Sequence, residues 1–120
     1  MKFNPNCIRD ILLSLVNIID SEILLIIDSS NYQDLCYKYS SDEFLYHLSE
    51  CIKNDLLRGS GRESYVIILK ITSEGYSFLR STSNDEDWDK IKKIAVNTKG
   101  LSLDTLKKIV ITYVNNNVIN

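Results

Sequence analysis

Apolar residues recur at helical spacing in several stretches of this chain and run without interruption in others. Ile8, Ile11, Leu12, Leu15, Ile18 and Ile19 fall on one stripe, with Arg9, Asp10, Ser14 and Asn17 opposite. That spacing predicts a core-facing first helix. Asn4 is its cap and Pro5 its first residue, where the missing N–H is not needed. It is expected to end near Asp20. Phe44, Leu45, Leu48, Cys51 and Ile52 share one arc of a second helix, opened by the capping box Ser40-x-x-Glu43. Its other face carries Asp42, Glu43, Tyr46, Glu50 and Lys53, with His47 and Asn54 on the border. Trp88, Ile91, Ile94 and Ala95 stripe a later helix capped by Asn84 or Asp85. Glu86 and Asp87 suit its positive end, and Gly100 is the expected left-handed stop. Leu103, Leu106, Ile109, Val110 and Tyr113 stripe a last helix, capped by Ser102 with Asp104 in its first turn. Residues 115–120 are polar, with little to hold them.

The uninterrupted runs read differently. Residues 23–27 (ILLII) fit a buried strand or one more helical turn, and periodicity leaves both open. Asp28-Ser29-Ser30-Asn31 then breaks the chain, and residues 32–36 suit a single helical turn. Leu56-Leu57-Arg58 leads out as a strand, and Gly59-Ser60-Gly61 with Arg62 is the predicted hairpin tip. Residues 65–71 (YVIILKI) return as the β-branched partner strand. Thr72 caps a helix carrying Tyr76, Phe78 and Leu79. Gly75 in its first turn costs about 1 kcal/mol against Ala and marks close packing. Helix, two-stranded wing, helix is the order of a winged-helix domain. The expected fold is therefore α+β: a winged helix (helix-turn-helix with a two- or three-stranded wing) over residues 1–82. A two-helix tail over 83–120 is packed on it or used for dimerisation. The helix opened by Ser40 takes the place of the recognition helix that enters a DNA major groove.

The segments YSSDEFLYHLSECIKNDLL, ITSEGYSFL, NDEDWDKIKKIA and GLSLDTLKKIV carry a resemblance. Their order and spacing resemble a group of small winged-helix proteins of unassigned function carried by phages and prophages of Gram-positive bacteria, to which the YjcQ-like proteins are similar. The pattern lies in Tyr46-His47-Leu48, in Thr72-x-x-Gly75-x-x-Phe78-Leu79 and in Trp88, and covers about residues 39–114. The chain departs from it at Asn54-Asp55, where such proteins often carry a glycine before the first wing strand. The resemblance implies a winged-helix fold and a mobile-element origin, and the expected place is the cytoplasm of a bacterial host cell. It brings no catalytic residues.

Composition narrows the function further. With 120 residues, 44% of them hydrophobic, the chain is long enough for one core. Its net charge of −2 lacks the basic excess of a free-standing nucleic-acid binder. Only the last third is lysine-rich. Cys7, Cys36 and Cys51 have no C-x-x-C spacing and read as buried thiols. No apolar run approaches a membrane span, and no signal peptide is evident. Gly59-Ser60-Gly61 lacks the Gly-Lys-Ser/Thr ending of a phosphate loop. His47 and Cys51 stand at i and i+4, but no second ligand pair accompanies them, so a histidine packed beside the core is the expected role. No catalysis, metal, cofactor or small-molecule substrate is expected. The candidate binding residues are Tyr46, His47, Glu50, Lys53, Asn54, Arg58 and Arg62. The function expected first is a regulatory protein acting on DNA, as a dimer that doubles its phosphate contacts. The alternative is an acidic protein–protein module or inhibitor that binds a host nucleic-acid-binding protein. The two separate on whether Lys53, Arg58 and Arg62 form one positive surface or the acidic helix dominates.

Overall fold

The computed structural model describes residues 2–18 and 24–118. In chain order these form α1 (Pro5–Val16), β1 (Leu25–Asp28), a 3-10 turn (Tyr32–Asp34), α2 (Ser41–Lys53), β2 (Leu57–Gly61), β3 (Tyr65–Ile71), α3 (Ser73–Thr82), α4 (Asp85–Val96) and α5 (Leu103–Val118). The fold is α+β, with five α-helices and one three-stranded antiparallel sheet among the described residues. Its strand order, β1-β3-β2, places the hairpin beside the early strand, an arrangement compatible with a winged helix.

Local chemistry sets the boundaries. The Asn4 side chain accepts the Asn6 N–H at 3.1 Å, and Pro5 opens α1. The helix stops at Val16, short of Asp20, and Ile18 is exposed rather than on the core stripe. Ile19, Asp20 and Ile23 lie outside the described residues. The apolar run after them is a strand: Leu25 pairs with Ile68 and Asp28 with Tyr65. Ser40 Oγ accepts the Glu43 N–H at 3.2 Å, as a capping box requires.

The hairpin corrects the sequence reading. Gly59-Ser60-Gly61 is strand, and the tip is Arg62-Glu63-Ser64, closed by the Arg62 N–H donating to the Tyr65 carbonyl at 2.8 Å. Gly59 is needed for closeness, not for turning: a Cβ there would collide with the Ile67 carbonyl oxygen. Beside it the register slips. Arg58 pairs with Lys70 and Gly59 with Ile68, so Leu69 bulges out. The bulge reverses the alternation and lets both Ile68 and Ile71 face the core.

The corner from α2 into the hairpin turns on Asp55, the one non-glycine residue with positive φ (64°) among those described. This is where the resembling proteins often place glycine, the residue that adopts that conformation freely. Thr72 locks the corner: its N–H donates to the Leu56 carbonyl and its hydroxyl to the Asp55 carbonyl. Gly75 packs so tightly here that a Cβ would overlap the Leu56 carbonyl oxygen.

One apolar cluster joins every layer. Ile8, Ile11 and Leu12 of α1, Phe44 and Leu48 of α2, and Val66 and Ile68 of β3 meet Trp88 and Ile91 of α4 and Leu103 and Leu106 of α5. Polar ties follow the same route. Arg9 donates to the Thr82 and Ser83 carbonyls and pairs with Asp85 at 2.8 Å. Trp88 Nε1 donates to Asn6 Oδ1 at 3.0 Å.

Candidate functional site

The candidate residues sit on α2 and the hairpin, and the structure separates them. Phe44, His47, Leu48 and Cys51 of α2 face the core. Asp42, Tyr46 and Lys53 are exposed; Glu43 and Glu50 are half-buried. Gly61 meets α2 at Ser49, where an added Cβ would come within 3.0 Å of the hydroxyl oxygen. The hairpin tip and the Tyr46–Ser49–Lys53 stripe are thus neighbours, since those residues follow one face of the helix.

His47 is not on the border. It is 0% exposed and holds the chain start against α2. Its Nε2 lies 2.9 Å from the Asn4 backbone N–H, and its Nδ1 lies 2.7 Å from the Glu43 carbonyl. A backbone N–H can only donate and a carbonyl only accept, so the ring is neutral with its proton on Nδ1. Phe3 covers it, ring centroids 5.6 Å apart, and Tyr46 meets it edge-on at 5.1 Å. Both nitrogens are occupied, which removes His47 from any contact set. Burial pushes the Cys51 and Cys7 thiols well above their ordinary range, so neither is a ready thiolate. Among the described residues no group of His, Cys, Asp and Glu could hold a metal ion.

Asn54 is also engaged structurally. Its side chain donates to the Glu50 carbonyl at 2.9 Å, and its own carbonyl accepts Lys107 Nζ at 2.7 Å. Lys53 Nζ stands 3.5 Å from Glu50 Oε2, an exposed pair of small energetic weight. Arg62 is exposed at the tip. Arg58 is exposed on the outer face of the sheet, in register with Lys70 and turned away from the core that carries α2. No described carboxylate lies within ion-pair distance of Arg58, Arg62 or Lys70. Lys53, Arg58 and Arg62 therefore do not make one surface. Of these three cations, Lys53 and Arg62 lie on the α2 side, against Asp42, Glu43 and Glu50.

With this geometry in view, the chain can be compared with known proteins. A family model described as "Hypothetical protein (DUF2513)" matches residues 2–102. The chain belongs to the DUF2513 family. No curated protein and no solved structure matches it. The DUF2513 match runs from the segment that binds His47 through α2, the hairpin and α4, and stops just before α5. It agrees with the resemblance in giving a family of unassigned function. No described helix is long and apolar enough to cross a membrane.

Sequence reasoning missed the outer face of the sheet. Leu24, Ile26, Tyr65 and Leu69 are all exposed there or next to it, with Ile67 half-buried between. The signal was present in YVIILKI, which is apolar in both strand phases. A run of that kind reads as a strand covered on both sides, yet here only one side is covered.

Proposed function

We propose that this protein is a non-catalytic binding module of winged-helix type, carried by a mobile element, whose α2 face meets a basic protein partner rather than bare DNA. One observation carries the reading. Helix α2 carries Asp42 exposed, with Glu43 and Glu50 half-buried beside it, and its one outward cation, Lys53, is paired with Glu50. Carboxylates beside phosphates repel, and a protein gains DNA affinity through the counterions that its lysines and arginines release. The same carboxylates attract a cationic surface and speed its encounter.

DNA binding is the second reading, favoured by the placement of the hairpin. Arg62 at the tip follows Gly61, which packs against Ser49 of α2, an arrangement with which a wing could grip a backbone while a helix reads bases.

Affinity capture from bacterial lysate tests the first reading. The wild-type chain should retain a basic protein at low salt and lose it at about 300 mM, where screening is strong. An Asp42→Lys/Glu50→Lys variant should retain none. Capture that ignores both salt and charge reversal contradicts the reading.

A further inference from the structure

We propose that the outer face of the β1-β3-β2 sheet is where two copies of this chain associate, face to face about a two-fold axis that crosses the strands. The inner face is spent on the core through Ile27, Leu57, Val66, Ile68 and Ile71. An antiparallel sheet covered on one side ordinarily turns polar residues to water on the other. Here Ile26 is 51% exposed, Leu69 42% and Tyr65 38%, and Leu24, one step beyond β1 in the same alternation, is 61% exposed. Register makes them contiguous: Ile26 lies directly opposite Ile67, and Tyr65 and Leu69 flank Ile67 along the same strand. Scattered apolar residues on a surface need no explanation, but a joined patch does.

The charges select the occupant. At one end of the face, Arg58 and Lys70 lie opposite each other with no described counter-ion. Like charges in register repel. At the other end Asp28 lies opposite Tyr65. Its carboxylate accepts the Ser30 hydroxyl at 2.6 Å and the Ser30 N–H at 2.9 Å, bonds that hold its pKa below the usual carboxylate range and keep it anionic. Arg62 and Glu63 at the nearby tip offset one another. Among the described residues the face is therefore cationic at one end, apolar in the middle and anionic at the other. An axis across the strands through Ile67 lays each anionic end over the other copy's cationic end and stacks the two apolar centres at sheet-packing distance, about 10 Å. An axis along the strands would set cation on cation. The α2 face stays open in this pairing, so the inference stands apart from the proposed target.

Sedimentation of the full chain from about 5 μM to about 500 μM tests the proposal, a range suited to a small interface of modest affinity. The wild type should pass from monomer to dimer. Ile26→Lys should raise the dissociation constant at least about tenfold. Arg58→Asp/Lys70→Asp alone and Asp28→Lys alone should each weaken self-association, and mixing the two variants should restore it, because each mixed pair recovers opposite charges at both ends. Because Asp28 also shapes its turn, melting curves of each variant establish that it is folded, and Ile26→Lys stands without it. A monomer throughout the range overturns the proposal. So does a dimer that Ile26→Lys leaves intact, or mixed variants that associate no better than either alone.

Discussion

The solvent face of α2 and the outer face of the sheet lie on opposite sides of one core, and they meet water in opposite ways. On α2 the apolar arc is buried and the exposed arc is charged, with Glu50 and Lys53 paired three residues apart. On the sheet the buried and exposed sides are both apolar, and the charges are pushed to the two ends. An exposed charged arc is what any surface helix needs for its own fold. An exposed apolar sheet does nothing for the monomer. The difference teaches that the two faces suit different partners: a charged one at α2, and a shape-matched apolar one at the sheet.

The comparison breaks most readily at the core between the faces. Phe44→Ala should cost about 3–5 kcal/mol in chemical denaturation, because Phe44 is fully buried between α2 and the 3-10 turn. Leu69→Thr on the outer face should stay within about 0.5 kcal/mol while weakening self-association. A large loss from Leu69→Thr would mean that the face belongs to the monomer's core.

His47→Leu should cost about 2 kcal/mol, since the Asn4 N–H and the Glu43 carbonyl both lose a buried partner. The loss should be seen as faster amide exchange at Asn4 with the hairpin unchanged. An unchanged exchange rate there would show that the chain start is held by other contacts.

Alkaline pH gives a sign test. Burial raises the Cys7, Cys51 and Tyr39 pKa values, and Tyr39 gains further from donating its hydroxyl to Asp10 at 2.5 Å. The folded state favours the neutral forms. That contribution is fully present below the unfolded values, about 8.5 for Cys and 10 for Tyr, and is lost as pH rises above them. Stability should be level near neutrality and fall above about pH 9, with a shallower fall in Tyr39→Phe. A rise in stability with alkaline pH would contradict the placement of these groups.

The smallest effect belongs to the corner between the faces. Asp55→Gly should stabilise by about 0.5–1 kcal/mol, because φ of 64° suits glycine. A loss in melting temperature would mean that the Asp55 side chain contributes more than its backbone strain costs.

Much of this was legible in the sequence because it rests on local rules. Ser40 and Thr72 cap the helices they were expected to cap, Asn84 rather than Asp85 caps α4, and Trp88, Ile91 and Ala95 of the α4 stripe are buried while Ile94 is exposed. What escaped was set by distant partners. His47 lies next to the apolar arc, and only the arrival of Asn4 makes it a buried anchor. Gly59-Ser60-Gly61 has the composition of a turn, but close approach of the Ile67 carbonyl makes Gly59 part of a strand. The separation of Arg58 from Lys53 and Arg62 depends on strand phase, which a bulge resets. Asp55 shows the reverse case: its departure from an expected glycine marked a left-handed corner.

The most direct measurement is fluorescence anisotropy of a labelled duplex titrated with the wild type and with Asp42→Lys/Glu50→Lys at about 50 and 200 mM salt. Each reversal adds two charges, taking the formal net charge from −2 to +2. The account predicts no submicromolar binding by the wild type at either salt, and salt-sensitive binding at least about tenfold tighter by the variant. Submicromolar wild-type binding that collapses between the two salts, with no gain on reversal, would contradict it and make the hairpin and α2 a DNA-reading surface.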